Sequence, residues 1–206
     1  MSSDSYLQAI LNRERVNNGA NSPVRGVLQV LYPMLQRWGG QYLVDVSPSG
    51  SFAKGTANNS GTDIDLFLSL SSTTPNTLSE IRQTLREQVA GSGYLIRDQN
   101  VSIGIKVGAY KVDLVPAKRQ SQYGNDHSLY KSKTGSWTKT NVQTHIVTVG
   151  TSGRCSEIRI LKLWRDQMKL SFPSFFLELA TLRALHGRRT EDLSGNVLHA
   201  FAFFRD

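Results

Sequence analysis

Gly50-Ser51-Phe52-Ala53-Lys54-Gly55-Thr56, followed after a short polar spacer by Gly61-Thr62-Asp63-Ile64-Asp65-Leu66-Phe67-Leu68-Ser69-Leu70, is the stretch on which the fold turns. In its second part Ile64, Leu66, Leu68 and Leu70 alternate with a period of two, the pattern of a strand with one buried face. With those residues turned to a core, Asp63 and Asp65 share the opposite face. Two carboxylates side by side repel, and one protonates unless a cation sits between them. Hard oxygen donors of this kind suit Mg²⁺, which takes one or two carboxylates together with substrate phosphates. Ahead of them, Gly50-Ser51 stands at the end of a candidate strand, where a short helix can start. Glycine lets the backbone come close to a phosphate, and a helix start offers free N–H groups to it. A phosphate cradle shortly before a carboxylate pair is the order of parts that phosphoryl chemistry needs.

Outward from this stretch, residues 42–46 make a candidate strand before it, and Thr77 with Glu80 has capping-box spacing after it. Leu78, Ile81, Leu85 and Val89 then form one helical stripe, stopped near Gly91. Val101, Ile103, Ile105 and Val107 alternate, Gly108-Ala109 can turn, and Tyr110, Val112 and Leu114 alternate again, which predicts an antiparallel hairpin. That pattern puts Asp113 on the face away from Val112 and Leu114. If its strand lies beside that of Asp63 and Asp65, three carboxylates converge. Two of them can hold two Mg²⁺ ions about 3.5–4 Å apart, and the third can share a metal and help deprotonate an attacking hydroxyl.

Toward the N-terminus, residues 4–16 carry a short apolar helical face. Ser22-Pro23 is a cap followed by proline at the first helical position, ahead of Val24, Val27, Leu28, Leu31, Met34, Leu35 and Trp38 at helical spacing and a stop at Gly39-Gly40. Residues 145–149 predict a weaker strand. Beyond Gly153 the pattern is helical: residues 157–170, residues 173–186 with Ser171 or Phe172 as cap, and a third helix from near Ser194. The expected fold is therefore α+β, with a mixed or antiparallel sheet flanked by helices over residues 1–150 and a helical region over residues 151–206.

Composition bounds the function. The chain has 206 residues, 39 % hydrophobic and 19 % charged, enough for one large domain or one with a partial second, and too well mixed for a disordered or fibrous protein. A single cysteine, Cys155, excludes an intrachain disulfide framework and a cysteine-built zinc site, and reads as a small buried residue. No signal peptide or membrane-length apolar run is visible, so a soluble cytoplasmic protein without membrane association is expected. Of the net charge of +8, all the excess lies in the second half: residues 1–100 hold eight basic and eight acidic residues, residues 101–206 sixteen and eight. A basic half suggests a polyanionic partner.

Gly-Ser, then Asp-x-Asp on a strand, then an aspartate on a later strand resembles the pattern of the DNA-polymerase-β-like nucleotidyltransferases. Glu157-Ile158-Arg159-Ile160-Leu161-Lys162-Leu163-Trp164-Arg165 resembles the spine-helix segment of oligoadenylate synthetases and their relatives, and Pro173-Ser174-Phe175-Phe176-Leu177-Glu178-Leu179 resembles the next helix of that group, which includes cGAS and the bacterial CD-NTases of antiphage (CBASS) signalling. The resemblance runs from about residue 20 to the end. It implies that Gly50 and Ser51 hold the β- and γ-phosphates of a nucleoside triphosphate, that Asp63 and Asp65 bind both Mg²⁺ ions (Mn²⁺ being able to substitute), and that Asp113 binds one and activates the acceptor hydroxyl. Lys162 falls at the triphosphate-contacting lysine, and residues 151–206 would close the cleft over residues 1–150. Members of this branch usually continue with further helices, so the helical half of the cleft is expected to be incomplete, to be supplied by another subunit, or to be cut short in a fragment. The implied activity joins nucleotides into a linear or cyclic oligonucleotide messenger, with a nucleic-acid or protein activator. Two alternatives stand beside it: the same transfer to an RNA 3′ end, a protein or a small molecule, and an idle nucleic-acid-binding module.

The residues lend Lys162 partial support. At 100° per residue Arg154, Lys162, Arg165 and Lys169 share one narrow stripe, beside an apolar stripe of Leu161, Trp164 and Met168. A basic edge along a buried face can reach into a cleft. Arg154 and Lys169 read as solvated, and Lys162 as the member that touches phosphate. Lys131, Lys133, Trp137 and Lys139 read as an exposed loop before a strand, although basic residues interleaved with an aromatic also suit single-stranded nucleic acid. His127, His145, His186 and His199 show no metal-ligand spacing.

Overall fold

The computed structural model describes residues 2–17, 19, 21–61 and 63–205; Thr62, within the decisive stretch, lies outside the described residues. By contact density the chain forms two compact units, one of residues 1–16, 53–62 and 145–206, the other of residues 17–52 and 63–144.

The second of these units carries a seven-stranded mixed sheet of strands β1 (Leu43–Pro48), β2 (Ile64–Leu70), β3 (Arg97–Asp98), β4 (Ile103–Val107), β5 (Tyr110–Arg119), β6 (His127–Lys131) and β7 (Ser136–Thr140), in the order β1-β2-β5-β4-β3 with β6 and β7 added along the far half of β5. Among the described residues only β2 and β5 run parallel, and every other pair is antiparallel. The expected hairpin is β4–β5, closing through Gly108-Ala109 with Val107 opposite Tyr110; Gly108 takes a φ of +58° there, which suits glycine.

Helix α2 (Pro23–Gly39) and helix α4 (Leu78–Gly91) cover one face of this sheet. Pro23 opens α2 without the side-chain capping bond that Ser22 could have supplied, whereas the Thr77–Glu80 capping box of α4 is fully made. Val24, Val27, Leu31, Met34 and Leu35 of α2 and Leu85 and Val89 of α4 pack on Ile64, Leu66 and Leu68 of β2, Ile103 and Ile105 of β4, and Val112 and Leu114 of β5. The Trp38 indole donates to Thr84 Oγ1 at 3.1 Å and ties the two helices together. This core takes the alternate residues Ile64, Leu66 and Leu68 of β2 and Val112 and Leu114 of β5, so Asp63, Asp65 and Asp113 are left to the other face, as the alternation predicts. Further along that face Phe67, Ala117 and Leu129 form a smaller cluster.

The other unit is helical. Helices α1 (Ser3–Arg13), α6 (Cys155–Gln167), α7 (Ser174–Ala184) and α8 (Leu193–Arg205) share a core of Leu11, Ile160, Leu161, Leu177, Leu185, Val197 and Ala200. Phe201 and Phe204 pack against it, Phe201 with its ring centroid 4.8 Å from that of Trp164. Arg159 donates to Asn58 Oδ1 and to the carbonyls of Leu11 and Glu14, fastening the 53–62 segment and the end of α1 to α6. A four-residue helix α3 (Gly50–Ala53) and helix α5 (Val142–Gly150) complete the order of elements. Among the described residues no helix is long and apolar enough to cross a membrane.

Four expectations are corrected. Residues 145–149 are not a strand but the second half of α5. Its β-branched composition suggests a strand, yet Val142, His145, Ile146 and Val149 recur at helical spacing and turn inward, and the Thr144 N–H is capped by Asn141 Oδ1 at 3.0 Å. The basic–aromatic stretch 131–139 is not a loop but the β6–β7 hairpin, with Gly135 at a φ of +61° in its turn and Trp137 exposed opposite Tyr130. Arg154 is not solvated: its buried guanidinium holds Glu157 and the carbonyls of Leu185, Arg188 and Arg189 where α7 ends. Met168 of the expected apolar stripe is exposed.

Buried histidine gives the fold a pH dependence. His127 bonds Ser69 Oγ and the Asn125 carbonyl, and burial holds its pKa below the usual histidine value; burial does the same to His145 against the Phe175 ring. In the unfolded chain each protonates near pH 6.5, in the folded chain only at lower pH. Their stabilising contribution is thus whole above pH 6.5 and drains away as pH falls through the folded values. The urea midpoint is expected to drop between about pH 7.5 and pH 5, less steeply in a His127→Gln variant. A midpoint flat across that range would contradict it.

Candidate active site

The register of the parallel pair places Asp65 directly opposite Asp113. Asp113 pairs in turn with Gly104 of β4, and Gly104 with Arg97 of β3. Asp65, Asp113, Gly104 and Arg97 therefore form one row across four strands, with side chains on one face of the sheet. The Ser49 N–H donates to the Asp65 carbonyl at 2.8 Å and continues that row toward the Gly50-Ser51 turn. Asp113 is nearly buried, and Asp63 is partly exposed.

Gly50 is fixed by two requirements. Its φ is +57°, and a Cβ built on it would lie 1.8 Å from Asp65 Oδ2. The Asp65 carboxyl thus packs on the bare Cα of Gly50, which brings the Gly-Ser turn and the Asp-x-Asp strand together. Gly50→Ala should cost about 1–2 kcal/mol from backbone conformation alone and push the Asp65 carboxylate out of place. Thermal melting together with a divalent-ion titration of the variant checks this; a variant that melts and binds metal like the parent would contradict it.

Two residues that sequence reasoning missed complete the cluster. Arg97 Nη2 donates to Asp63 Oδ2 at 3.2 Å and to Asp113 Oδ1 at 3.1 Å, so the two acids converge on one nitrogen. Gln99 Nε2 donates to the same Asp113 oxygen at 2.7 Å. The hydrogen bond and charge of Asp63, with those of Asp113, hold the Arg97 pKa above its ordinary value. Strand β3 has only two residues and no periodicity, and the one sequence signal for it was Gly104, a glycine inside an alternating strand. Around the cluster Arg82 donates to Asp98 and to the carbonyls of Gln99 and Ser102, and Arg86 donates to Asp98, which pins β3 and the turn after it.

The acids fit a divalent metal by donor type: oxygen ligands of matched hardness, brought to one face by register. Among the described residues no three His, Cys, Asp or Glu side chains stand where together they could hold a metal ion.

Lys162 lies in the helical unit, buried, where it donates to Glu178 Oε1 at 2.5 Å and to Thr56 Oγ1 at 2.8 Å. Lys54 donates to the other Glu178 oxygen, and the Thr56 hydroxyl donates to Oε1. Burial pulls the Lys162 pKa down against the attraction of Glu178. At Glu178 burial pushes upward, but Lys162 and Lys54 outweigh it and keep the carboxyl below its usual value. Glu178 is the third residue the sequence did not single out, and a glutamate on an otherwise apolar stretch was its only signal. Cys155 is half-buried and burial raises its thiol pKa, in keeping with an inert role.

No protein-family model matches the sequence, and no curated protein matches it. Solved structures do. The Bradyrhizobium diazoefficiens CD-NTase CdnG, in complex with GTP, superposes with a TM-score of 0.79 at 10 % identity over 97 % of this chain and 74 % of that one. Escherichia coli MS115-1 CdnC, in a complex with a HORMA protein, gives 0.74 at 20 % identity over 98 % and 70 %. The Elizabethkingia meningoseptica cyclic dinucleotide synthase CdnE, with GTP and Apcpp, gives 0.71 at 14 % identity over 98 % and 83 %. The fold is a nucleotidyltransferase fold. More narrowly, it is the fold of the bacterial CD-NTases CdnC, CdnE and CdnG, in keeping with the resemblance in sequence.

Proposed function

We propose that this chain is a Mg²⁺-dependent nucleotidyltransferase that transfers a nucleoside monophosphate from a nucleoside triphosphate to the hydroxyl of a second nucleotide, giving a linear or cyclic oligonucleotide for antiphage-type signalling. The observation that supports it most is the cross-strand pairing of Asp65 with Asp113, with Asp63 drawn to the same point by Arg97. The packing of Asp65 on Gly50 adds the phosphate-binding turn to the same arrangement.

Gly50 and Ser51 would hold the β- and γ-phosphates through the backbone N–H groups of their turn, beside the Asp65 carboxyl that fills the space a side chain at 50 would take. Asp63 and Asp65 would hold both metal ions and Asp113 one of them; when bound, Mg²⁺ or Mn²⁺ neutralises the charge of the triphosphate and the leaving pyrophosphate. Asp113 would also take the proton of the acceptor hydroxyl at a carboxylate oxygen. That hydroxyl oxygen bonds to the α-phosphorus, the bond from the α-phosphorus to the bridging oxygen breaks, and pyrophosphate leaves. Most of the acceleration would come from positioning and charge neutralisation. Lys162 is assigned to the triphosphate by the sequence resemblance; its donors are engaged by Glu178 and Thr56, and the proposal does not rest on it. The GTP bound to CdnG and the HORMA protein bound to CdnC support nucleoside triphosphates as substrates and a protein as one kind of activator.

The acceptor is tested by following label from the α-phosphate of each of the four ribonucleoside triphosphates, leaving one out at a time. Label in a phosphatase-resistant, nuclease-sensitive small product is the expected result. Label carried on RNA or protein would overturn the acceptor assignment.

A further inference from the structure

Arg97 has no part in the transfer described above, yet it makes ion pairs with two of the three acids. Its position is built rather than incidental. Arg97 and Asp113 flank Gly104 in the cross-strand row, and a Cβ at 104 would come within 2.8 Å of Arg97 Nε and 3.1 Å of Asp113 Oδ1. The glycine leaves a lane along which the guanidinium lies over β4 to reach β5. On its other side β3 is anchored, because Asp98 is gripped by Arg82 and Arg86. Half of the Arg97 side chain is exposed, so it can swing out without disturbing the core.

We propose that Arg97 is the resident counter-cation of the acid cluster, and that a divalent ion binds Asp63 and Asp113 only as Arg97 gives up its bonds to them. The inference rests on the reading of these acids as metal ligands. The chemistry is competition for the same oxygens. Mg²⁺ binds carboxylate oxygen at about 2.0–2.1 Å, inside the space that a guanidinium nitrogen takes, and two cations at one point repel. Arg97 holds together carboxylates that would otherwise spread by repulsion. It also keeps their affinity for bare metal low. A nucleoside triphosphate shifts this balance: it brings oxygen ligands for the metal and an anion to which the released guanidinium can turn. Metal entry would thus be coupled to nucleotide entry. Arg97 acts in this through the acids, as a positioning residue.

The test is calorimetric titration of Mn²⁺ into the full chain without nucleotide, comparing the parent, Arg97→Gln, Arg97→Lys and Asp113→Asn, with a melting curve for each. Arg97→Gln is expected to bind Mn²⁺ about tenfold tighter than the parent. Arg97→Lys, a point charge that cannot bridge two acids as the planar fork does, is expected to fall between them. If Arg97→Gln proves unstable, the lysine variant alone carries the comparison. Affinity equal to or weaker than the parent's in folded Arg97 variants would overturn the inference while leaving the acids as metal ligands. Mn²⁺ binding unaffected by Asp113→Asn, or absent from parent and variants alike, would overturn the metal-ligand reading beneath it.

Discussion

Glu178→Ala is expected to destabilise the protein by about 3–5 kcal/mol. Glu178 is fully buried, and it accepts from Lys54, Lys162 and Thr56. Removing it leaves two ammonium groups in the interior of the helical unit with no anion, and desolvation of an unpaired charge is what makes such a deletion costly. The wild-type cluster is not for that reason a large net stabiliser, since ion pairs in the interior are expensive to desolvate in the first place. Lys54→Met with Lys162→Met and Glu178→Leu should recover much of the loss. Urea unfolding of the parent, the single variant and the triple variant measures both. A single variant within about 1 kcal/mol of the parent would show the two lysines finding water or another anion.

The second large effect is on turnover. Asp63→Asn together with Asp65→Asn is expected to lower nucleotide incorporation by on the order of a thousandfold or more, because the carboxylates that would hold the metal ions against the triphosphate are lost. Folding should be little affected. Asp65 lies on the face of β2 away from the main core, Asp63 immediately before the strand is outside that core too, and asparagine keeps the shape of each side chain. Melting within a few degrees of the parent, together with lost incorporation, is the expected pair of results. Retained incorporation in a folded variant would remove these aspartates from the chemistry.

How far the sequence discloses such a protein depends on where its constraints lie. The Asp63–Asp65 strand and the hairpin carrying Asp113 are legible because half their residues face one core, which writes a period of two into the chain. That β2 and β5 lie side by side, bringing Asp65 opposite Asp113, is a long-range fact that alternation alone could only offer as a condition. Residues 145–149 mislead because His-Ile-Val-Thr-Val has strand composition and helical spacing at once, and the cap at Asn141 decides. Arg97 escapes notice because a two-residue edge strand has no pattern; its position is set by Gly104 and Asp98, on either side of it in the fold. Lys162 and Arg154 sit on a basic stripe that the sequence reads as facing solvent or ligand, and both are buried beside glutamates, Glu178 and Glu157. A helical wheel gives the direction of a side chain and is silent about what the neighbouring helix places there.

The central claim, nucleotidyl transfer by the three aspartates, meets its most direct test in one incubation. Purified protein is mixed with all four α-labelled ribonucleoside triphosphates and Mg²⁺ or Mn²⁺, treated with phosphatase, and its products are separated beside those of the Asp63→Asn/Asp65→Asn variant and of Asp113→Asn. A phosphatase-resistant labelled product is expected from the parent and none from either variant. The same product from a folded aspartate variant would contradict it, as would the lack of any labelled product from the parent with each metal.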